Sequence, residues 1–185
     1  AAGRRVIHME VGQPSTPAPA LARRALAEAL EQDTPGYTVA LGLPELRCGI
    51  AGLYRRWYGV DLNPERVVVT AGSSAAFLLA FTAFFDAGDR VALGLPGYPS
   101  YRHILKALSV DVVGIPTGPE TRFQPVPAML PEGIAGLIVA SPGNPSGTML
   151  GKAELAALAG ACAARDIAFI SDEIYHGLHY GERAV

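Results

Sequence analysis

The chain has 185 residues, 50% of them hydrophobic and 17% charged, with a formal net charge of -2. That composition excludes a disordered polypeptide, and the near-neutral balance with scattered arginines excludes charge-driven binding to nucleic acid. At this length one domain buries about 70% of its unfolded surface, enough for a full hydrophobic core.

The extended opening, VIHMEVG, carries no charged-then-apolar leader. APALARRALAEALEQ (18–32) and LPELRCGIAGLYRRWYG (43–59) both repeat apolar positions at helical spacing, so two helices precede the first strong strand. From residue 66 strands and helices alternate: RVVVT, then a helix from Ser73; RVALG, then PSYRHILKAL; VDVVGIPT, then a proline-rich loop; GLIVAS, then KAELAALAGACAARD; finally IAFIS. The longest apolar stretch, AAFLLAFTAFF (75–85), falls short of the roughly 20 residues that span a bilayer and reads as a buried helix. Cys48 and Cys162 fit no metal or redox spacing, so they read as core or inert thiols in a reducing, cytoplasmic setting. Short, continuously apolar strands separated by helices predict an α/β fold, a mostly parallel sheet covered by helices on both faces.

In such sheets ligands gather at the carboxyl ends of the strands. AGSSA follows RVVVT and puts Gly72, Ser73 and Ser74 at a helix start, where free N–H groups and the positive dipole end favour an anion such as phosphate. A plain N-cap would use the same serines. LPGYPSY follows RVALG, and Tyr98 offers an aromatic face to a planar ring, or else sits as a rim aromatic. SPGNPSG follows GLIVA: Pro145 keeps Asn144 out of helical angles while Gly143 and Gly147 relieve crowding, an arrangement that holds one amide still or is simply a turn. DEIYHGLHY follows IAFIS. There Asp172 is placed to pair with a cationic ring nitrogen or to cap the next turn, Glu173 should point the other way, and Tyr175 offers a phenolic donor.

An anion cradle, an aromatic plate, an amide, a carboxylate and a phenol at the strand ends of one sheet describe a site for a phosphorylated aromatic heterocycle. The segments MEVGQPSTPAP, PGYTVALGLPELR, VVVTAGSS, LPGYPSY, VASPGNPSGTML and ISDEIYHGL occur in an order and spacing that resemble the class I/II aminotransferases, pyridoxal 5'-phosphate enzymes of fold type I. The resemblance implies that Gly72, Ser73 and Ser74 cradle the cofactor phosphate and that Tyr98 stacks on the pyridine ring. Asn144 and Tyr175 would hydrogen-bond the ring's phenolic oxygen, and Asp172 would pair with the pyridinium nitrogen. Gly12 and Asn144 would lie against the substrate, and Tyr37 would reach the phosphate of a neighbouring subunit's site, which implies a homodimer. Residues 1–42 would serve the substrate loop and dimer contact, and 43–185 would be the first part of an incomplete cofactor-binding large domain.

The family also holds its cofactor as a Schiff base on a lysine that shuttles a proton. Lys106 and Lys152 stand in neither the place nor the serine-lysine context of that residue, which the family puts beyond the aspartate segment. The resemblance therefore implies roughly the first half of a longer polypeptide, whose activity would be transfer of an amino group from an amino acid to a 2-oxo acid. A pyridoxal-phosphate β-lyase, a cyclopropane-forming synthase on the same scaffold, and a non-catalytic effector domain share this half. A separate reading takes HGLH, His176 to His179, as a metal pair beside Asp172 and Glu173, against the alternative of histidines that decorate a turn.

Overall fold

The computed structural model describes residues 16–32, 36–178 and 180, and its chain divides into two compact units, Ala1–Val69 and Thr70–Val185. The first unit holds α1 (Ala20–Gln32) and α2 (Pro44–Tyr58). Helix α2 carries the expected end signals, with Pro44 in its first turn, Glu45 beside it, and Arg55 and Arg56 in its last turn. Arg47 Nε donates to Val67 O at 2.9 Å, which ties that helix to the end of the unit.

One expected strand is not formed among the described residues. Residues 64–66 make a single 3-10 turn capped by the Asn63 side chain, and 67–70 join no ladder with any described strand. An apolar triplet becomes a strand only when a neighbour accepts its hydrogen bonds. Here the Val69 N–H goes to Leu41 O in a lone contact, and Val68 is half exposed.

The second unit is a parallel four-stranded sheet, β1 (Arg90–Leu95), β2 (Asp111–Pro116), β3 (Gly136–Ala140) and β4 (Ala168–Asp172), in the order β2-β1-β3-β4. The expected α/β architecture with helices on both faces is what forms. Because successive strand residues face opposite sides, Val91, Leu93 and Ile138 join Phe77 and Phe81 of α3 (Ser73–Phe84) and Tyr101 and Leu105 of α4 (Pro99–Ala107). The alternate residues Ala92, Leu137 and Val139 join Leu158 and Cys162 of α5 (Lys152–Ala163) on the other face. These two apolar layers fix the strand register, and the register places the strand ends.

The run 75–85 is not buried all round. Phe77 and Phe81 face the sheet, but Leu78, Leu79 and Phe84 are about half exposed, because a helix on the outside of a sheet can bury only one stripe. Cys162 lies fully inside the core, whereas Cys48 is exposed. No described helix is long and apolar enough to cross a membrane.

Candidate functional site

The carboxyl ends of β1, β3 and β4 and the start of α3 open on one crevice. Ser73, Tyr98, Asn144, Asp172 and Tyr175 all border it, together with Tyr101, around about 420 Å³ of empty space continuous with solvent. Tyr98, Asn144, Asp172 and Tyr175 meet there because each lies at or just past the end of a strand of the same parallel sheet, and the start of α3 brings Ser73 beside them.

Each arrives by a local cause. Gly72 takes φ 81°, which a side chain would resist, and turns the chain into α3 so that Ser73 enters the helix at the crevice. No side chain caps that helix, so its first N–H groups remain available. Ser74 follows on the exposed first turn. Tyr98 precedes Pro99, the first residue of α4, and its ring meets Tyr101 edge-on at 5.4 Å. Among the described residues the amide of Asn144 has no hydrogen-bond partner, and it borders the crevice from a loop whose Ser141–Pro142 and Asn144–Pro145 bonds are both cis.

Asp172 is the most constrained member. Ala140 and Asp172 are paired in register at the ends of β3 and β4, and Ser141 N–H donates to Asp172 O at 3.0 Å. Its Oδ1 accepts from Ile174 N–H at 3.1 Å, so it does cap the turn that follows; its Oδ2 accepts from the Tyr101 hydroxyl at 2.5 Å. Each oxygen keeps a lone pair for a further donor. Glu173 turns elsewhere, accepting from Ser171 Oγ at 2.9 Å and lying 3.7 Å from His176 Nδ1.

Tyr101 is the residue that sequence reasoning missed. Burial first, and the hydrogen bond to Asp172 second, push its phenol far above the ordinary tyrosine range, so it remains a proton donor to the carboxylate. Phe77 packs edge-on against its ring at 5.0 Å and fixes the direction of the hydroxyl. The only signal in the sequence was its place three residues after Tyr98, one helical turn along α4.

The remaining expected residues lie elsewhere. Gly12 and His179 fall outside the described residues. Tyr37 belongs to the first unit and is fully exposed. Lys106 and Lys152 are exposed on α4 and α5, and neither borders the crevice. Among the described residues no three histidine, cysteine, aspartate or glutamate side chains converge as metal ligands would.

Residues 4–185 match the model of the family described as aminotransferase class I and II, and the chain belongs to that family. It is 54% identical over 178 residues to a valine–pyruvate aminotransferase from Mycobacterium tuberculosis, covering 95% of this chain and 46% of that protein. An aspartate/prephenate aminotransferase from Thermus thermophilus is 35% identical over 182 residues, covering 96% of this chain and 47% of the relative. The crystal structure of an aminotransferase from Mycobacterium tuberculosis superposes with a TM-score of 0.91 at 54% identity, covering 95% of this chain and 49% of the other. The chain thus spans about half the length of the curated relatives it matches.

Proposed function

We propose that the complete protein is an aminotransferase that uses pyridoxal 5'-phosphate to move an amino group from an amino acid to a 2-oxo acid. The observation that carries this reading is the single crevice in which the Asp172 carboxylate, the unpartnered Asn144 amide, the Tyr98 ring and the first turn of α3 face the same space. The donor set fits the cofactor. Asp172 has lone pairs left for a protonated ring nitrogen, Asn144 and Tyr175 can donate to a phenolic oxygen, and Tyr98 offers its face. Gly72, Ser73 and Ser74 supply backbone and hydroxyl donors to a phosphate.

When bound, pyridoxal phosphate supplies an electron sink for the pair left as a substrate's α-proton departs. Within this chain, Asp172 holds the ring nitrogen's proton in place, and Tyr101 keeps the carboxylate aimed and its Oδ2 occupied. Asn144 and Tyr175 orient the ring from its oxygen side. Lys106 and Lys152 do not border the crevice, so neither is placed to serve as the attachment lysine. Tyr37, exposed in the first unit, is free to reach a second copy's phosphate in a homodimer.

The 54% identity to a valine–pyruvate aminotransferase supports valine and pyruvate as the substrate pair. The complete protein, loaded with pyridoxal phosphate and given both, should form alanine and the 2-oxo acid of valine in equal amounts. Release of pyruvate from a β-substituted amino acid, with no alanine formed under any donor, would replace transfer by elimination.

A further inference from the structure

The loop that carries Asn144 leaves β3 at Ala140 and returns at Thr148, and one buried side chain joins its two feet. Gln124 is 3% exposed, and its Nε2 donates to Ala140 O at 3.1 Å and to Thr148 O at 3.0 Å. Thr148 O also accepts from Gly143 N–H at 2.8 Å, and Gly147 N–H donates to Gly143 O at 2.7 Å, so the interior of the loop hangs on the same carbonyl. Gly143 leaves room for this approach. A Cβ there would lie 3.1 Å from Gln124 Nε2 and 2.7 Å from Ser146 Oγ.

Gln124 is delivered to this position by an unusual backbone. Arg122 and Phe123, immediately before it, both take left-handed angles, φ 53° and 58°, each costing a non-glycine residue about 1 kcal/mol or more. The conformation is held from outside: Arg122 Nη2 grips both oxygens of Glu154 at 2.6 and 2.5 Å, while Glu154 Oε2 accepts from Gly151 N–H at the start of α5. Strain is maintained where its removal would move something, and what lies beyond the strained pair is the amide that staples the loop.

We propose that Gln124 is a positioning residue for this site: by stapling Ala140 and Thr148 it fixes the direction in which Asn144 presents its amide to the crevice. The proposal rests on the reading that Asn144 serves bound pyridoxal phosphate. It goes beyond that reading by placing the control of Asn144 in a side chain outside the crevice, 16 residues before one foot and 24 before the other.

Gln124→Met keeps the volume and removes the donor. In the complete protein, hydrogen exchange at the Gly143 and Gly147 amides should accelerate about tenfold while the amides of β1 and β3 hold their rates. Affinity for pyridoxal phosphate, measured by equilibrium titration, should fall about threefold to tenfold, and in an Asn144→Ala background Gln124→Met should add nothing further. Unchanged exchange in the loop, or an undiminished effect of Gln124→Met in the Asn144→Ala background, overturns the proposal. If Asn144→Ala binds the cofactor as tightly as the parent, the cofactor reading falls instead, and exchange still decides the staple. Should Gln124→Met fail to fold, Gln124→Glu provides the same test through pH. Its neutral acid can still donate, so loop protection relative to the parent should be lost as pH rises through the new carboxyl's pKa, and pH-independent protection overturns the proposal.

Discussion

Helices of both units carry apolar side chains, yet they met different fates. In the second unit each helix buries large side chains against the sheet: Phe77 and Phe81 from α3, Tyr101 and Leu105 from α4, Leu158 and Cys162 from α5. In the first unit α1 buries no residue and α2 buries only Ala51, and Leu21, Leu26 and Leu30 of α1 are all exposed. Periodicity is enough to make a helix, but burial needs a surface of matching shape, and a sheet with two apolar faces supplies that surface. The catalytic candidates cluster in the second unit for the same reason, since strand ends locked by two cores can hold side chains within hydrogen-bonding tolerance.

The contrast can be broken most forcefully in the core. Phe81→Ala should lower unfolding stability by about 3–5 kcal/mol in a denaturant titration, whereas Leu26→Ala should change it by no more than about 0.5 kcal/mol. Equal losses would mean that α1 has a core of its own. In the crevice, Asp172→Asn should lower turnover of the complete protein on the order of 10²–10³-fold and weaken pyridoxal phosphate binding by less. A loss confined to affinity would make Asp172 a tether and remove its electronic role. Tyr101→Phe should cost about tenfold in kcat/KM with little change in fold, because it removes one hydrogen bond to a charged group.

The smallest expected effect lies in alkaline solution. The native Tyr101 phenol titrates above its unfolded counterpart, so its stabilising contribution is complete below about pH 10 and is lost as pH rises toward the native value. Tyr101→Phe should flatten the decline in stability above that pH, as followed by thermal melting. A decline of the same slope in both proteins would assign it to other groups.

Much of the site was legible because a parallel sheet sends every strand's carboxyl end to one edge. Once RVALG, GLIVA and IAFIS are read as strands, Tyr98, Asn144 and Asp172 must converge. Asp172 illustrates the limit of that reading, since capping and ligand pairing were alternatives in the sequence and the structure has the carboxylate capping Ile174 while Oδ2 faces Tyr101. RVVVT carried a strand signal as strong as the others, yet 67–70 found no ladder among the described residues. The 75–85 helix was apolar all round, and composition could not tell which side the sheet would cover.

The amino-acid sequence by itself determined the types and order of the second unit's elements, the parallel sheet, and the family whose motifs sit at its strand ends. The elements follow from local spacing, which reports period 2 or 3.6 without knowledge of any distant contact, whereas the family follows from the order of its motifs along the chain. Tertiary structure alone decided that Tyr101 would hold a carboxylate 71 residues away, that Gln124 would staple the Asn144 loop, and that one apolar triplet would join no ladder among the described residues. Those outcomes depend on which groups the two cores bring within about 3 Å of one another, a quantity fixed by the register of the strands and recorded in no single stretch of the chain.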